Sequence, residues 1–415
     1  MKIFYLINSR MPTEKAEGVE AMKLCEAFAK ARGYTRSDDN TADTRGNYIS
    51  GNQRSNQRES ASIEVEMVAP RRLNKIKEDP FAFYGVERNF KIVKLPVIDL
   101  IPFLSSKIIF WIEAISFSVS CLIYLLIYSK KEDIIFSHDQ ISLFLISFLR
   151  KNAFYDIHDF PRGGFGLYGC LFKNLAGIIT TNKWKREQLI KKFKLNENKI
   201  LSWPNGVDLE KFDLKISKEE ARKKLDLPQD KILVGYVGML KTMGMGKGIE
   251  TAIGALKFLL ENVMLVLVGG SEEDVDEYEK AAERAGLVEK VNFVGWVKHE
   301  LIPYYLKAFD VLIAPFPRND HYEFYMCPMK ILEYMASKRP IVASDLNSIR
   351  ELISEKESVL IQPESEEALA AGIKQIIENQ QFADEISSSA FNKAQNFTWQ
   401  NRAQAIINFM ESFVA

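Results

Sequence analysis

Short apolar runs alternate with longer stretches of helical periodicity along most of the chain. In the N-terminal half, apolar residues recur at helical spacing over 18–31. Short runs typical of buried strands occur at 2–8, 63–69, 91–95, 134–137, 153–157 and 177–180. Strands that alternate with helices in this way predict βαβ units and a largely parallel α/β sheet.

A second alternation follows the Pro-Asn-Gly turn at 204–206. Its helices are predicted at 249–260, 274–285, 302–309 and 366–378, and its strands at 232–237, 264–268, 291–294, 311–314, 341–343 and 359–361. We therefore expect two doubly wound, Rossmann-like domains, 1–203 and 204–398, facing across a cleft where ligands normally bind. The C-terminal helix, 399–415, is expected to be able to pack back on the first domain.

Residues 33–62 interrupt the first alternation with Ser, Asn, Arg, Asp, Gln and Thr. So polar a segment has almost nothing to bury, which predicts a disordered or loosely held insertion. We assign it no chemistry.

The balance of charge excludes one broad class of function. The chain has 415 residues, of which 55 are basic and 55 are acidic, so it has no global field to attract nucleic acid. Its four cysteines form no CxxC pair, which argues against a disulfide framework or a structural zinc site. These features favour a reducing, cytoplasmic compartment.

Two segments raise the question of a membrane. Residues 108–128 are apolar apart from Glu113 and a few serines, and they are long enough to span a bilayer. A core helix that is apolar all round and a helix lying on a membrane surface are the alternatives. Residues 183–194 carry six cations around Trp184 and Phe193, which suits either peripheral contact at the inner face of the cell membrane or a solvated helix.

The segment 327–345, CPMKILEYMASKRPIVASD, combines a helix start with a charged pair and a buried strand. Pro328 suits the first helical position, which leaves the N–H groups of Met329 and Lys330 at an open helix end that attracts phosphate. Lys330 and Glu333 are three residues apart and project from one side of the helix. Pro340 is expected to end the helix. An ordinary surface helix with an ion pair is the alternative that context must exclude.

That context comes from three further motifs: PNGVDLEKF at 204–212, KGIETA at 247–252 and LVGG at 267–270. Together with 327–345 they resemble the family-four retaining glycosyltransferases of the GT-B fold. The resemblance is closest to the branch whose helix begins with Ser-Pro-x-Lys, although Cys327 replaces the serine here. It implies transfer of a hexosyl unit from a UDP- or GDP-sugar to a glycan or lipid-linked acceptor in cell-envelope polysaccharide or glycolipid synthesis. It implies no metal or other cofactor.

The resemblance also implies roles for residues of the second domain. Lys247 would contact the donor diphosphate, and Gly248 would let the backbone turn closely beside it. Glu333 would accept hydrogen bonds from the ribose hydroxyls, while Met329 and Lys330 would offer backbone N–H groups to phosphate. Lys247 and Glu333 are thus candidate catalytic residues, with the other three as nucleotide contacts.

Three more positions follow from the same resemblance. Val297 lies where the family holds the base through the main chain, and Gly18 lies where a loop opens the first helix toward the donor phosphates. Glu17 stands where a second glycine is frequent, so that loop is expected to be less open. His158 follows a strand at the place of the active-site histidine and is the third catalytic candidate. A structural histidine that caps a loop is the competing interpretation.

Two departures concern the donor sugar and the phosphates. Tyr325 occupies the position of a glutamate that contacts the sugar in the family, and nearby Glu323 is a possible substitute. Gly238, at a strand end, is followed by Met239 where a phosphate-binding arginine is common, so Lys241 is the candidate to compensate. Losing one such donor typically costs about 2.7–4 kcal/mol of transition-state stabilisation.

These departures keep two alternatives open. One is a degenerate nucleotide-sugar-binding or scaffold subunit, and the other is a different GT-B enzyme such as a nucleotide-sugar epimerase. An Asp-Val-Asp sequence at 274–276 resembles a metal-binding DxD motif, but it lies in an acidic run that is typical of a helix start.

Overall fold

The computed structural model describes residues 1–31, 63–101, 106–161 and 163–414. The insertion predicted at 33–62 lies outside the described residues.

Seven strands form the first sheet in the order β3-β2-β1-β4-β5-β6-β7. They are β1 (Lys2–Leu6), β2 (Glu64–Pro70), β3 (Lys91–Leu95), β4 (Ile134–Ser137), β5 (Ala153–Ile157), β6 (Gly177–Thr180) and β7 (Ile200–Ser202). The helices between them are α1 (Ala16–Lys30), α2 (Pro80–Tyr84), α3 (Lys107–Tyr128), α4 (Gln140–Ile146), α5 (Phe165–Asn174) and α6 (Lys183–Phe193). β1 is an interior strand and pairs in parallel with both β2 and β4, as expected for a strand whose residues 3–6 are fully buried.

Six strands form the second sheet in the order β12-β11-β8-β13-β14-β15, and β9 and β10 make a small hairpin beside it. The strands are β8 (Ile232–Val237), β9 (Lys241–Thr242), β10 (Met245–Gly246), β11 (Val263–Val268), β12 (Val291–Gly295), β13 (Val311–Ala314), β14 (Ile341–Ser344) and β15 (Val359–Ile361). All neighbours in the six-stranded sheet are parallel.

The second half of the chain supplies ten α-helices among the described residues. They are α7 (Leu209–Phe212), α8 (Lys218–Lys224), α9 (Ile249–Ala255), α10 (Glu272–Ala285), α11 (Ile302–Ala308), α12 (Met329–Ala336), α13 (Asn347–Arg350), α14 (Glu366–Glu378), α15 (Gln380–Ala394) and α16 (Trp399–Val414). α10 begins with a capping box in which Ser271 and Asp274 bond each other's main chain, as a helix start at this acidic run predicts.

The chain divides into two compact units. The first consists of Met1–Asp156, Gly169–Ile178 and Ala403–Ala415, and the second of Ile157–Tyr168 and Ile179–Arg402. Within the first unit, the ring of Phe409 in α16 packs edge-on against Phe154 of β5, with 6.2 Å between ring centroids. The sequence-based limits at 203 and 398 are drawn from motifs and remain a prediction.

α12 departs from the predicted helix at both ends. Pro328 is the N-cap with extended backbone, so the helix begins one residue later, at Met329. It ends at Ala336, four residues before Pro340, because Lys338 already has left-handed backbone with φ of 58°. The expectation that Pro340 ends the helix was therefore wrong by one turn.

The two segments considered for membrane contact differ in the structure. α6 turns Leu189 inward, and its Trp184 stacks on Phe324 of the same unit at 5.2 Å, so the apolar side chains of α6 face protein. α3 is the one helix among the described residues with the length and composition of a membrane span. Its most apolar 18-residue window has a mean hydropathy of 2.0, and 33% of that window is buried.

Candidate functional site

The strand order of the second sheet creates a crevice at one edge. From β8 the chain proceeds outward to β11 and β12, and then returns to the other side of β8 with β13, β14 and β15. The carboxyl ends of β8 and β13 therefore diverge at a topological switch point, the usual ligand position in open α/β sheets.

Glycines form the floor of this crevice on three adjacent strands. Gly238 follows β8, Gly269 follows β11 and Gly295 ends β12, and all three have positive φ. The Gly238 N–H donates to Val268 O at 2.8 Å, and the Gly269 N–H donates to Gly295 O at 2.7 Å. A side chain at Gly269 would collide with the Gly238 carbonyl. Bare backbone is thus a steric requirement at Gly269, whereas at Gly238 and Gly295 the positive φ is what favours glycine.

α12 is fixed against the crevice by Tyr334. The hydroxyl of this fully buried residue accepts a hydrogen bond from the Val237 N–H at the end of β8, at 2.9 Å. The N-terminal turn of α12, with Met329 and Lys330, is thereby held at the strand ends, where its unsatisfied N–H groups favour an anion.

Lys330 has an unusual environment for a cation. Its Nζ is buried and makes no hydrogen bond within the described part of the chain. It lies 3.5 Å from the centroid of the Tyr236 ring and 5.3 Å from that of Phe316. Burial, together with the nearby Lys247 cation, holds the pKa of Lys330 well below its usual range. The ammonium thus lacks a fixed anionic partner at hydrogen-bonding distance.

Lys247 and Gly248 lie on the other side of the switch point. Burial lowers the pKa of Lys247 to about 8. Gly248 is the N-cap of α9 with φ of 80°, and a Cβ there would collide with the carbonyl oxygen of Pro315 just after β13. Glycine is therefore required at position 248 because the main chain of Pro315 passes too close to leave room for a side chain.

Glu333 is one turn along α12 from Lys330. Burial raises the pKa of its carboxyl group, and the cations Lys211 and Lys330 partly oppose that rise. Lys211 belongs to the 204–212 motif, and its Nζ lies 2.7 Å from His299 Nδ1. The crevice thus combines two desolvated cations with one carboxyl group.

The turn before α12 is a single π-helical turn, His321–Tyr325. Asn182 fixes it by donating to Phe324 O at 2.8 Å and Met326 O at 3.2 Å. The Tyr325 ring packs edge-on against Trp184, with 5.1 Å between centroids. Glu323, the possible substitute for the missing glutamate, instead accepts from the Asn347 N–H at 3.3 Å and pairs with Arg318 at 3.4 Å.

Lys241 is also engaged. It begins the β9–β10 hairpin and forms an ion pair with Glu277 of α10, a hydrogen bond that raises the pKa of the lysine. A role with phosphate would require Lys241 to exchange this partner. Met239, where an arginine is frequent, is exposed.

His158 and Val297 lie in loops of the second unit. His158 is half-buried after β5, and its carbonyl oxygen accepts from the fully buried Lys185 Nζ at 2.7 Å, which fixes the backbone of this loop. Val297 lies two residues after Gly295, half-buried against the core of this unit.

Gly18 belongs to the first unit, at the start of α1. A Cβ there would collide with the Tyr84 hydroxyl and would lie 2.6 Å from Thr13 Cγ2. Tyr84 also donates to Thr13 O at 2.7 Å, so Gly18 serves the packing of its own loop.

The structure therefore brings six predicted residues to the carboxyl-terminal edge of the second sheet: Gly238, Lys247, Gly248, Met329, Lys330 and Glu333. Sequence reasoning missed Tyr236 and Phe316, whose rings surround the Lys330 ammonium, and Tyr334, which anchors α12. An aromatic residue in an apolar strand resembles an ordinary core residue, so the sequence held no signal for these roles.

The family comparison covers the part of the chain that carries this crevice. Residues 217–393 match the model of the family described as glycosyl transferases group 1. The match supports the predicted glycosyltransferase superfamily, whereas the family-four retaining subclass and the Ser-Pro-x-Lys branch remain predictions.

Two relatives illustrate the similarity in sequence. An uncharacterised glycosyltransferase of Methanocaldococcus jannaschii is 28% identical over 238 residues, which cover 56% of this chain and 58% of the relative. A UDP-Gal:alpha-D-GlcNAc-diphosphoundecaprenol alpha-1,3-galactosyltransferase of Escherichia coli is 29% identical over 176 residues, which cover 41% of this chain and 43% of the relative. In these matches the chain spans only about half the length of the relatives.

A solved structure extends the similarity to the whole fold. The crystal structure of Anabaena HepE in complex with UDP has a TM-score of 0.71 with this protein, at 17% identity, and the match covers 99% of this chain and 100% of the other. The predicted α/β fold of the GT-B type, with two parallel sheets, is confirmed.

Proposed function

We propose that the protein transfers a hexosyl unit from a UDP- or GDP-sugar to a glycan or lipid-linked acceptor, with retention of anomeric configuration. The observation that carries this proposal is the buried Lys330 ammonium, which lies without a hydrogen-bonding partner in the described chain at the switch point of the second sheet. A desolvated cation beside an open helix end suits a diphosphate.

In the proposed reaction the diphosphate departs from the face on which the acceptor attacks. Lys330, Lys247 and the N–H groups at the start of α12 neutralise the charge that develops on it, which is commonly worth several kcal/mol. His158 orients the donor sugar. Because two lysines and a helix end supply the positive charge, we propose that no metal is needed.

For the nucleotide, we propose that Glu333 accepts the ribose hydroxyls and that the main chain near Val297 holds the base. UDP is the ligand in the HepE structure, and UDP-galactose is the donor in the name of the Escherichia coli relative. Both support a nucleoside-diphosphate sugar as the donor class.

The acceptor and location are the broadest parts of the proposal. The Escherichia coli relative acts on a diphosphoundecaprenol-linked sugar, and a Rhizobium meliloti relative is named a lipopolysaccharide core biosynthesis mannosyltransferase. They support a role in cell-envelope polysaccharide or glycolipid synthesis. We propose a cytoplasmic location on the sequence features alone.

Calorimetry with UDP and GDP, followed by assay of donor hydrolysis, tests the function. Binding of one nucleotide with slow release of free sugar is expected. Tight binding without turnover on any acceptor would favour the scaffold subunit, and an epimerised nucleotide sugar as the product would favour an epimerase. No binding of either nucleotide would exclude all three.

Two substitutions separate binding from turnover. Glu333→Ala should weaken nucleotide binding about 10- to 100-fold, the value of charged hydrogen bonds to the ribose, whereas His158→Ala should leave binding intact and mainly lower kcat. The exposed Glu289→Ala is the matched control. If Glu333→Ala and His158→Ala are both as active and as tightly binding as the control, the site assignment is wrong.

A further inference from the structure

α3 exposes an apolar stripe along its whole length. Its side chains recur every three or four residues, which places them on one helix face. They are all at least 43% exposed and comprise Ile108, Trp111, Ile115, Val119, Ile123 and Leu126. A 22-residue helix is about 33 Å long, so the stripe is far larger than scattered surface residues produce.

The opposite face fastens α3 to the first unit. Phe117, Cys121 and Leu125 are buried there. Glu113 is fully buried and accepts from Arg72 Nε at 2.9 Å. Spanning a bilayer would expose this ion pair and strip the helix from its sheet, so α3 can offer a membrane only its exposed side.

Neighbouring segments widen the apolar surface. The Ile98 N–H donates to Ser116 Oγ at 3.0 Å, which holds the exposed Ile98 side chain beside the middle of the helix. At the C-terminal end, the Arg150 guanidinium donates to Leu125 O at 3.1 Å. This contact holds the preceding residues, the exposed Phe148 and Leu149, near the end of α3.

The charges around the stripe have one predominant sign. Exposed lysines lie at the two ends of the helix, and they are Lys107, Lys130, Lys131 and Lys151. Glu132 is the exposed carboxylate among them, and the carboxylate on the helix itself, Glu113, is buried and paired. An apolar face bordered by lysines is complementary to an anionic lipid surface.

Other occupants fit less well. A stripe about 33 Å long and about 10 Å wide offers about 330 Å² to a second copy. Even twice that area, with the neighbouring apolar segments included, stays below the roughly 800 Å² per partner that a stable interface buries. The chain's own segment 33–62 contains only three large apolar residues, Tyr34, Tyr48 and Ile49, to cover it.

We propose that α3 docks the protein on an anionic lipid bilayer, with the helix axis in the plane of the surface and the stripe between the headgroups. In this orientation Trp111 inserts into the headgroup region, where amphipathic aromatic residues are favoured. The proposal does not depend on the glycosyltransferase assignment, because docking requires only the first unit.

Co-sedimentation of the full chain with vesicles tests the proposal. Wild-type protein should sediment with mixed phosphatidylcholine–phosphatidylglycerol vesicles at low ionic strength, and less with pure phosphatidylcholine. The Ile115→Asp/Ile123→Asp variant should partition at least about tenfold more weakly, because two anchors are lost and two anionic groups are added. The Leu260→Asp/Val288→Asp variant, which changes exposed apolar residues of the second unit, should sediment like the wild type.

Circular dichroism spectra and thermal unfolding of both variants report whether they are folded. Wild-type protein that stays in the supernatant, or two variants that behave alike, would refute the proposal. A dimer that the Ile115→Asp/Ile123→Asp change dissociates would assign the stripe to a second copy instead. Resistance to extraction by alkaline carbonate would assign α3 to a span, which also contradicts surface docking. None of these readouts uses turnover, so they leave the proposed reaction untouched.

Discussion

Lys330 contacts aromatic rings where most buried cations contact carboxylates. A cation over an aromatic face gains about 2 kcal/mol when desolvated, which offsets only part of the cost of burying the ammonium. A bound diphosphate would supply the remaining stabilisation. The residue is therefore arranged for a ligand more than for stability of the fold.

Lys247 makes the affinity for nucleotide dependent on pH. Its pKa of about 8 should rise when a diphosphate binds, because the anion stabilises the charged lysine. The contribution of Lys247 to UDP affinity should therefore be largest below pH 8 and fall by up to about tenfold per unit as pH rises above 8, with proton uptake on binding. The phosphates themselves titrate near pH 6 and do not interfere.

Calorimetry on either side of pH 8, in buffers of different ionisation enthalpy, measures both effects. Lys247→Met should bind more weakly and take up fewer protons. An affinity that stays constant through this pH range would contradict the role of Lys247.

A comparison of two glycines with similar backbone conformation distinguishes the cost of backbone strain from the cost of a steric clash. Gly248 and Gly286 have φ of 80° and 68°, but a Cβ at Gly286 meets nothing within 4 Å, whereas one at Gly248 collides with Pro315 O. Gly286→Ala should lower the free energy of unfolding by about 1–2 kcal/mol, and Gly248→Ala should cost clearly more. Urea denaturation compares them. Equal losses would show that Pro315 yields easily.

Single residues were predictable where a local motif carried them. Lys330 and Glu333 stand three apart after a proline, and Lys247 precedes a glycine. The sequence around each residue therefore already indicated its local structure. The pairing of Lys241 with Glu277 was not, because 36 residues separate the two and tertiary packing alone brings them together.

At the level of elements, buried parallel strands were predicted best. The bounds of β3, β4, β5, β6, β8, β13 and β15 agree with the sequence-based ranges, and most of these strands are short apolar runs. The β9–β10 hairpin has two residues per strand, and α15 contains three consecutive serines, so neither produced a periodic signal.

Hydropathy alone could not decide whether α3 is a core helix, a membrane span or a surface helix. One face of α3 is buried and the other is exposed, and the average hydropathy does not distinguish them. The Glu113–Arg72 pair fixes which face turns inward. Glu113→Ala leaves the largely buried Arg72 without its ion-pair partner. The change should lower the free energy of unfolding by about 3–5 kcal/mol. Glu132→Ala, at an exposed position near the same helix, should change it by less than about 0.5 kcal/mol. Similar small effects in denaturant titrations would show that the pair does not hold α3.

For the molecule as a whole, composition gives a clear negative expectation. With 55 basic and 55 acidic residues, the protein should not retard duplex DNA in a gel at physiological ionic strength. Salt-sensitive retardation would show that local lysine clusters outweigh the balanced total.

The architecture of two parallel sheets was predictable because strand and helix patterns alternate twice. The limits of the compact units were not. Residues 157–168 belong to the second unit, an assignment that depends on packing between segments far apart in sequence, whereas the return of the C-terminal helix to the first unit was among the expectations. A boundary drawn at a turn motif contains no such information.

The crevice floor at Gly238, Gly269 and Gly295 has a consequence for evolution. Because main-chain hydrogen bonds and missing side chains define its shape, residues that neither line the crevice nor pack beneath it can change without altering it. Mutational tolerance should therefore be low at these three positions and high at exposed residues outside the crevice. Such a surface can persist through long sequence divergence while the side chains around it acquire new specificities.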